Sequence, residues 1–170
     1  MNGKNTPPDD LCQYFFDLAI EYLNPDNSCK SFNPKEGEKN LIKAYRLGSI
    51  EAGYNLSILL MSNIKGYENN YIEGLKIALE LEKLNFVDST FFIDEKLSEL
   101  DTNNIPTLDL LIWNHIFKQN NQLDRAFIVL DTLEYRMEDP LYDKILQEIS
   151  DAYSRKYDIE NARISTEMYN

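Results

Sequence analysis

Apolar residues recur along this chain in steps of three and four. In the stretch containing Leu18, Tyr22 and Leu23, and again at Leu56, Leu59 and Leu60, that spacing turns one face of a helix inward, where a strand would need alternation. Between such stretches lie Asn24-Pro25-Asp26-Asn27, Asn33-Pro34 and the run Lys65 to Asn70, whose compositions are those of turns and loops. The pattern predicts an all-α chain of at least eight helices, paired near residues 11–48, 50–85, 107–137 and 141–168, with no sheet.

The pattern also repeats. Asn40 to Ala52 laid beside Ile77 to Ser89 gives, at an offset of 37, a helix end, then Gly48 or Asn85, then a short turn into the next helix. Gly and Asn are the residues that tolerate the left-handed conformation closing a helix, so Gly48 is expected at positive φ. Glu36-Gly37 recurs as Glu73-Gly74 at the same offset, and Leu18-Ala19 is followed by Leu56-Ser57 after 38. In the C-terminal part the period is 36: Trp113, Phe117, Leu123, Ala126 and Ile128 are matched by Ile149, Tyr153, Ile159, Ala162 and Ile164. All six glycines lie at or before Gly74, and Asp101 to Pro106 breaks any helix, so a junction between two repeat types is expected at residues 101–106.

At these residues the chain resembles known repeat families. Leu41 to Ser57, with Lys43-Ala44, Gly48, Glu51-Ala52, Tyr54 and Leu56, is similar to the Sel-one-like repeat over residues 11–100, departing from it where Ser57 replaces Gly, Leu60 an aromatic and Asp94 a small residue. Residues 107–170 resemble the tetratricopeptide repeat through Trp113-Asn114, Phe117, Asn121, Ala126, Leu130 and Leu133, and a second copy through Ile149-Ser150, Tyr153, Ala162 and Thr166. The resemblance implies one continuous α-solenoid of stacked antiparallel helix hairpins, preceded by a flexible N-terminus at residues 1–10. Proteins of this kind are scaffolds, chaperones and adaptors.

Composition narrows the class. With 170 residues, 43% hydrophobic and 27% charged, the chain has the makings of an ordinary soluble domain that needs no staple. Its first ten residues lack the apolar core of a secretory signal and no run is long enough to span a bilayer, so a cytoplasmic protein without membrane contact is expected. Cys12 and Cys29 sit in no paired motif, which fits a reducing compartment. Net charge is −12, with 16 acids against 10 bases in residues 1–100 and 13 against 7 beyond. Such a surface repels nucleic acid and would steer a basic partner.

Chemistry is hard to assemble from these parts. His115 is the single histidine, so neither a two-histidine metal site nor a Cys–His pair of close sequence spacing is available, and there is no GxSxG elbow or glycine-rich phosphate loop. No catalytic residue, metal or cofactor is assigned. Glu80 with Glu82, and Glu138 with Asp139, read as solvated acids.

What remains is surface. The position two before each Leu-small pair gives one column, Phe16, Tyr54 and Phe91, which either anchors a peptide in a concave groove or packs helix on helix. Ile20, Ile58 and Glu95 form a second column, and Leu111, His115 and Lys118 extend the groove. The expected function is a non-enzymatic module that binds another protein there, as an acidic immunity protein neutralising a basic toxin. The alternatives are a secretion-type chaperone or adaptor for an extended client segment, or a degenerate-repeat enzyme. Oligomeric state is left open.

Overall fold

A computed structural model describes residues 8–26, 31–100, 105–137, 140–151 and 154–155. The chain is all-helical: α1 (Pro8–Leu23), α2 (Pro34–Arg46), α3 (Ile50–Met61), α4 (Tyr71–Lys83), α5 (Val87–Ser98), α6 (Thr107–Gln119) and α7 (Leu123–Glu134) are followed by α8 (residues 140–151), and no strand occurs among the described residues. The helix α1 begins inside the stretch expected to be loose. Pro8 has the fixed φ that suits a first helical turn. Residues 1–7, residues 101–104 of the expected junction, and residues 156–170 of the fourth expected pair lie outside the described residues.

Three hairpins share one backbone plan. The helices α2, α4 and α6 have 13 residues each, and α3, α5 and α7 have 12. A left-handed residue separates the members of each pair: Gly48 at φ 102°, Asn85 at 62° and Asn121 at 58°, spaced 37 and 36 apart. At each turn the residue after the left-handed one donates its N–H back five positions. Ser49 bonds Ala44 O at 3.1 Å, Phe86 bonds Leu81 O at 3.0 Å and Gln122 bonds Phe117 O at 2.9 Å. The left-handed residue itself bonds the carbonyl three back, to Tyr45, Glu82 and Lys118. This is the Schellman closure, which satisfies carbonyls the helix end would otherwise strand. The expectation for Gly48 is met, and the same turn recurs twice with Asn in its place.

The entries are also alike, up to a point. Asn33 and Asn70 accept N–H bonds from Glu36 and Glu73 at 3.2 and 3.1 Å, capping α2 and α4. Pro106 stands in that position before α6 and offers no side-chain cap.

The chain divides into two compact units, residues 1–94 and 95–170, the division falling inside α5. In the first unit α1 packs on α2, α2 on α3 and α3 on α4. Ala19, Leu41, Ala44, Ala52, Leu56, Leu59, Leu60, Ile77 and Leu81 form its core. Three helical glycines sit at close approaches: a Cβ on Gly37 would stand 2.6 Å from the Leu23 side chain, one on Gly53 2.6 Å from Tyr45, and one on Gly74 2.5 Å from Met61. That explains why Glu-Gly recurs. Ser89 closes the α4–α5 turn by donating its hydroxyl to Ala78 O at 2.6 Å.

In the second unit α6 packs on α7 around Trp113 and Phe117, both fully buried and 6.5 Å apart edge to face. Buried Asn114 donates to Ala126 O at 2.7 Å, which gives its amide the partner that burial demands. The guanidinium of Arg136 ties the entry of α6 by donating to Ile105 O at 2.8 Å.

Candidate partner-binding surfaces

The sequence-derived columns divide into packed and open members. Phe16 and Tyr54 are half-buried and pack against the core of the first unit. Tyr54 meets Phe86 at 5.4 Å and Phe92 at 6.0 Å, both edge to face, the geometry aromatic pairs prefer. Phe91 is 68% exposed and has no ring partner among the described residues. In the second column Ile20 is exposed, Ile58 half-buried and Glu95 exposed.

Leu111, His115 and Lys118 belong to the second unit. Leu111 is half-buried and His115 exposed, while Lys118 donates to Glu148 of α8 at 2.7 Å. That ion pair draws the Glu148 carboxyl below the usual carboxylate range, the hydrogen bond from Lys118 contributing most. Gln119, Asp151 and Arg155 join His115, Lys118 and Glu148 around a shallow cavity of about 460 Å³.

Sequence reasoning missed one member of the aromatic register. Phe127 lies 36 after Phe91, is half exposed, and lines a cavity of about 690 Å³ with Leu146, Gln147 and Ile149 of α8. Carrying the C-terminal period back onto the aromatic column would have found it.

A second feature had no signal in periodicity at all. In the first unit, α2 and α4 flank a groove whose apolar part is Ile42, Leu56, Leu60 and Ile77 and whose edges carry Glu38, Glu73, Glu80, Arg46 and Lys76. Across it the Tyr45 hydroxyl donates to Glu80 at 2.8 Å. Burial, and then that bond, push the Tyr45 phenol up to about 12. Sharing Glu38, Ile42, Leu60 and Asn70, a neighbouring cavity of about 450 Å³ opens at the α3–α4 loop, where Tyr67 and Asn69 reach in. Tyr67 is buried to 9% exposure with its hydroxyl beside the Glu38 carboxylate, and the Asn69 amide nitrogen is buried with no hydrogen-bond partner among the described residues. Burial raises the Tyr67 phenol, and the Glu38 carboxylate raises it further, by its charge and by accepting a hydrogen bond from the hydroxyl.

Among the described residues no three His, Cys, Asp or Glu side chains are grouped to hold a metal ion, and no helix is long and apolar enough to cross a membrane. Cys12 donates its thiol to Ala44 O at 3.5 Å, while Cys29 lies outside the described residues. The described geometry is thus all-α, with exposed apolar side chains and shallow cavities in both units. Compared with known proteins, the chain matches no family model, no curated protein and no solved structure.

Proposed function

We propose that the chain is a non-enzymatic protein–protein interaction module, an α-solenoid akin to the Sel-one-like and tetratricopeptide repeats that works inside the cell. The observation that carries this reading is the threefold recurrence of one hairpin plan, with 13- and 12-residue helices joined at a left-handed residue, at offsets of 37 and 36. Repeats of this kind stack to bury one face and leave another free along their length for a partner. Leu84, Val87 and Phe91, all large, apolar and exposed on one side of the α5 entry, offer such a free face.

The partner is a protein. The net charge of −12 favours a basic one, held as an immunity protein holds the toxin it neutralises. The exposed apolar face favours the second reading, a chaperone for an extended client segment. Capture of the partner from the native host, followed by binding of the purified pair, tests both. The triple variant Leu84→Ala, Val87→Ala, Phe91→Ala should lose the partner while keeping its melting temperature. Undiminished capture would remove this face from the account. A steep fall of affinity with salt selects the neutraliser, and indifference to salt the chaperone.

A further inference from the structure

The groove between α2 and α4 is bridged by side chains that the repeat does not supply. Both helices pack on α3, and Tyr45 of α2 crosses it to donate its hydroxyl to Glu80 of α4 at 2.8 Å. The crossing needs bare backbone: a Cβ on Gly53 of α3 would stand 2.6 Å from the Tyr45 ring, so only glycine lets the ring pass so close. One repeat on, the positions of Tyr45, Gly53 and Glu80 hold Glu82, Thr90 and Ile116, at offsets of 37, 37 and 36, and no part of the bridge is kept. The hairpin plan folds without it.

A second bridge stands at the other end of the groove. Tyr67, in the loop leading into α4, donates to Glu38 in the second turn of α2, seven residues or about 10 Å along the helix from Tyr45. Its matching positions hold Asn103 and Leu75, so this bridge too belongs to one pair of repeats alone. Between the bridges the floor is apolar and sealed, with Leu56, Leu60 and Ile77 at 3%, 4% and 5% exposure. Two cavities, of about 280 and 450 Å³, share Glu38, Ile42, Leu60 and Asn70 in their walls. Space on that scale means that interdigitated side chains do not lock α2 to α4. What holds them at this separation is the pair of hydrogen bonds, each to an ionised acceptor and so of the stronger kind.

We infer that Tyr45 and Tyr67 are the two fastenings of one gate: α2 moves off α4 as a unit, only when both hydroxyls release, and the opening exposes the floor of Leu56, Leu60 and Ile77. The gate is built into the first unit. It is independent of the partner-binding reading and of the exposed face on α5.

Thiol labelling of Leu60→Cys in the full chain tests the gate, with the reaction followed at position 60 by peptide mass to separate it from Cys12 and Cys29. Position 60 is 4% exposed, so a thiol there reacts through opening. Tyr45→Phe and Tyr67→Phe should each raise the labelling rate about fivefold, the factor that one hydrogen bond supplies. Together they should raise it about 25-fold, the product required when a single opening breaks both bonds. Ala19→Cys, fully buried on α1 in the same core, should label at one rate in every background. A double variant no faster than the faster single would mean that the two ends open separately. A tyrosine whose loss leaves the rate unchanged would fasten nothing, and equal acceleration in Ala19→Cys would mean a general loosening of the unit. Each of these results overturns the gate. Should Leu60→Cys fail to fold, Ile77→Cys, on the α4 side of the same floor, gives the same readings.

Discussion

The entries to α3 and α5 are built from the same register. Leu47, Ile50 and Tyr54 in the one correspond to Leu84, Val87 and Phe91 in the other, all 37 residues on. Their surroundings are not the same. Leu47 and Ile50 are 45% and 40% exposed but the ring of Tyr54 is covered by Phe86 and Phe92, whereas Leu84, Val87 and Phe91 are 62%, 61% and 68% exposed. A periodic sequence fixes the direction in which a side chain leaves its helix. Whether that direction leads to packing or to solvent depends on what stands opposite, and no period records that. A column of aromatics is therefore part scaffold and part surface.

The largest expected effects separate the two roles. Leu56→Ala and its register mate Ile93→Ala, both at fully packed sites, should each cost about 2–5 kcal/mol in denaturant unfolding. Tyr54→Ala should cost about 2 kcal/mol, from lost burial and two ring contacts, while Phe91→Ala should stay within about 0.5 kcal/mol. If Phe91→Ala destabilises as much as Tyr54→Ala, the contrast between the two helices is false.

The turns that set the register come next. Gly48→Val forces a β-branched residue to φ 102° and should cost more than about 1 kcal/mol, although nothing lies within 4 Å of the added Cβ. Asn85→Gly should be neutral to within a few tenths of a kcal/mol, because the left-handed site asks only for tolerance of positive φ. A large loss from Asn85→Gly would mean that its side chain does something beyond adopting that angle.

A smaller effect distinguishes the α2–α4 groove from the open face of α5. The Tyr45 phenol has its folded pKa raised from 10.0 to about 12, so the folded state holds this proton more tightly than the unfolded one. Its contribution is complete below pH 10 and should be lost between pH 10 and about 12. Thermal melts across that window should fall less steeply in Tyr45→Phe than in the parent. An identical slope would show that the Tyr45 phenol is neither buried nor bonded to Glu80 in solution as it is here.

The smallest effect belongs to Glu148, depressed by Lys118 on an exposed surface. A depressed carboxylate supports the fold above its unfolded pKa and ceases to do so as pH falls through the folded value. NMR titration should place the Glu148 midpoint below that of a free glutamate, and molar salt should return it most of the way. A midpoint at the ordinary value in low salt would dissolve the pair.

Much of the backbone plan was legible in the sequence, because helix ends announce themselves chemically. Asn33 and Asn70 before acidic first turns, and Gly48 and Asn85 after apolar last ones, each perform a local task that only a few residue types can do. The start of α1 at Pro8 was not legible because Pro and Asp serve loops and helix entries equally well. Of the candidate surface, the direction of Tyr54 and Phe91 was legible and their fate was not. Tyr67 and Asn69 were passed over as loop composition. That Asn69 stands opposite Phe32 and Ile105 emerges only once the repeats are aligned at their caps.

The three left-handed turns bear on time as well as on structure. Each joins two helices through three residues and is closed by bonds reaching back at most five positions, so a hairpin can be completed without recruiting any distant part of the chain. Chains dominated by such short-range closure cross their folding barrier quickly, in microseconds to milliseconds for small domains. A residue that resists positive φ at 48, 85 or 121 would then act early, slowing the formation of its own hairpin more than it hastens the hairpin's loss. These three positions would serve as starting points from which the chain reels in its neighbours, and the chain would hold several such origins where most domains of its size rely on one.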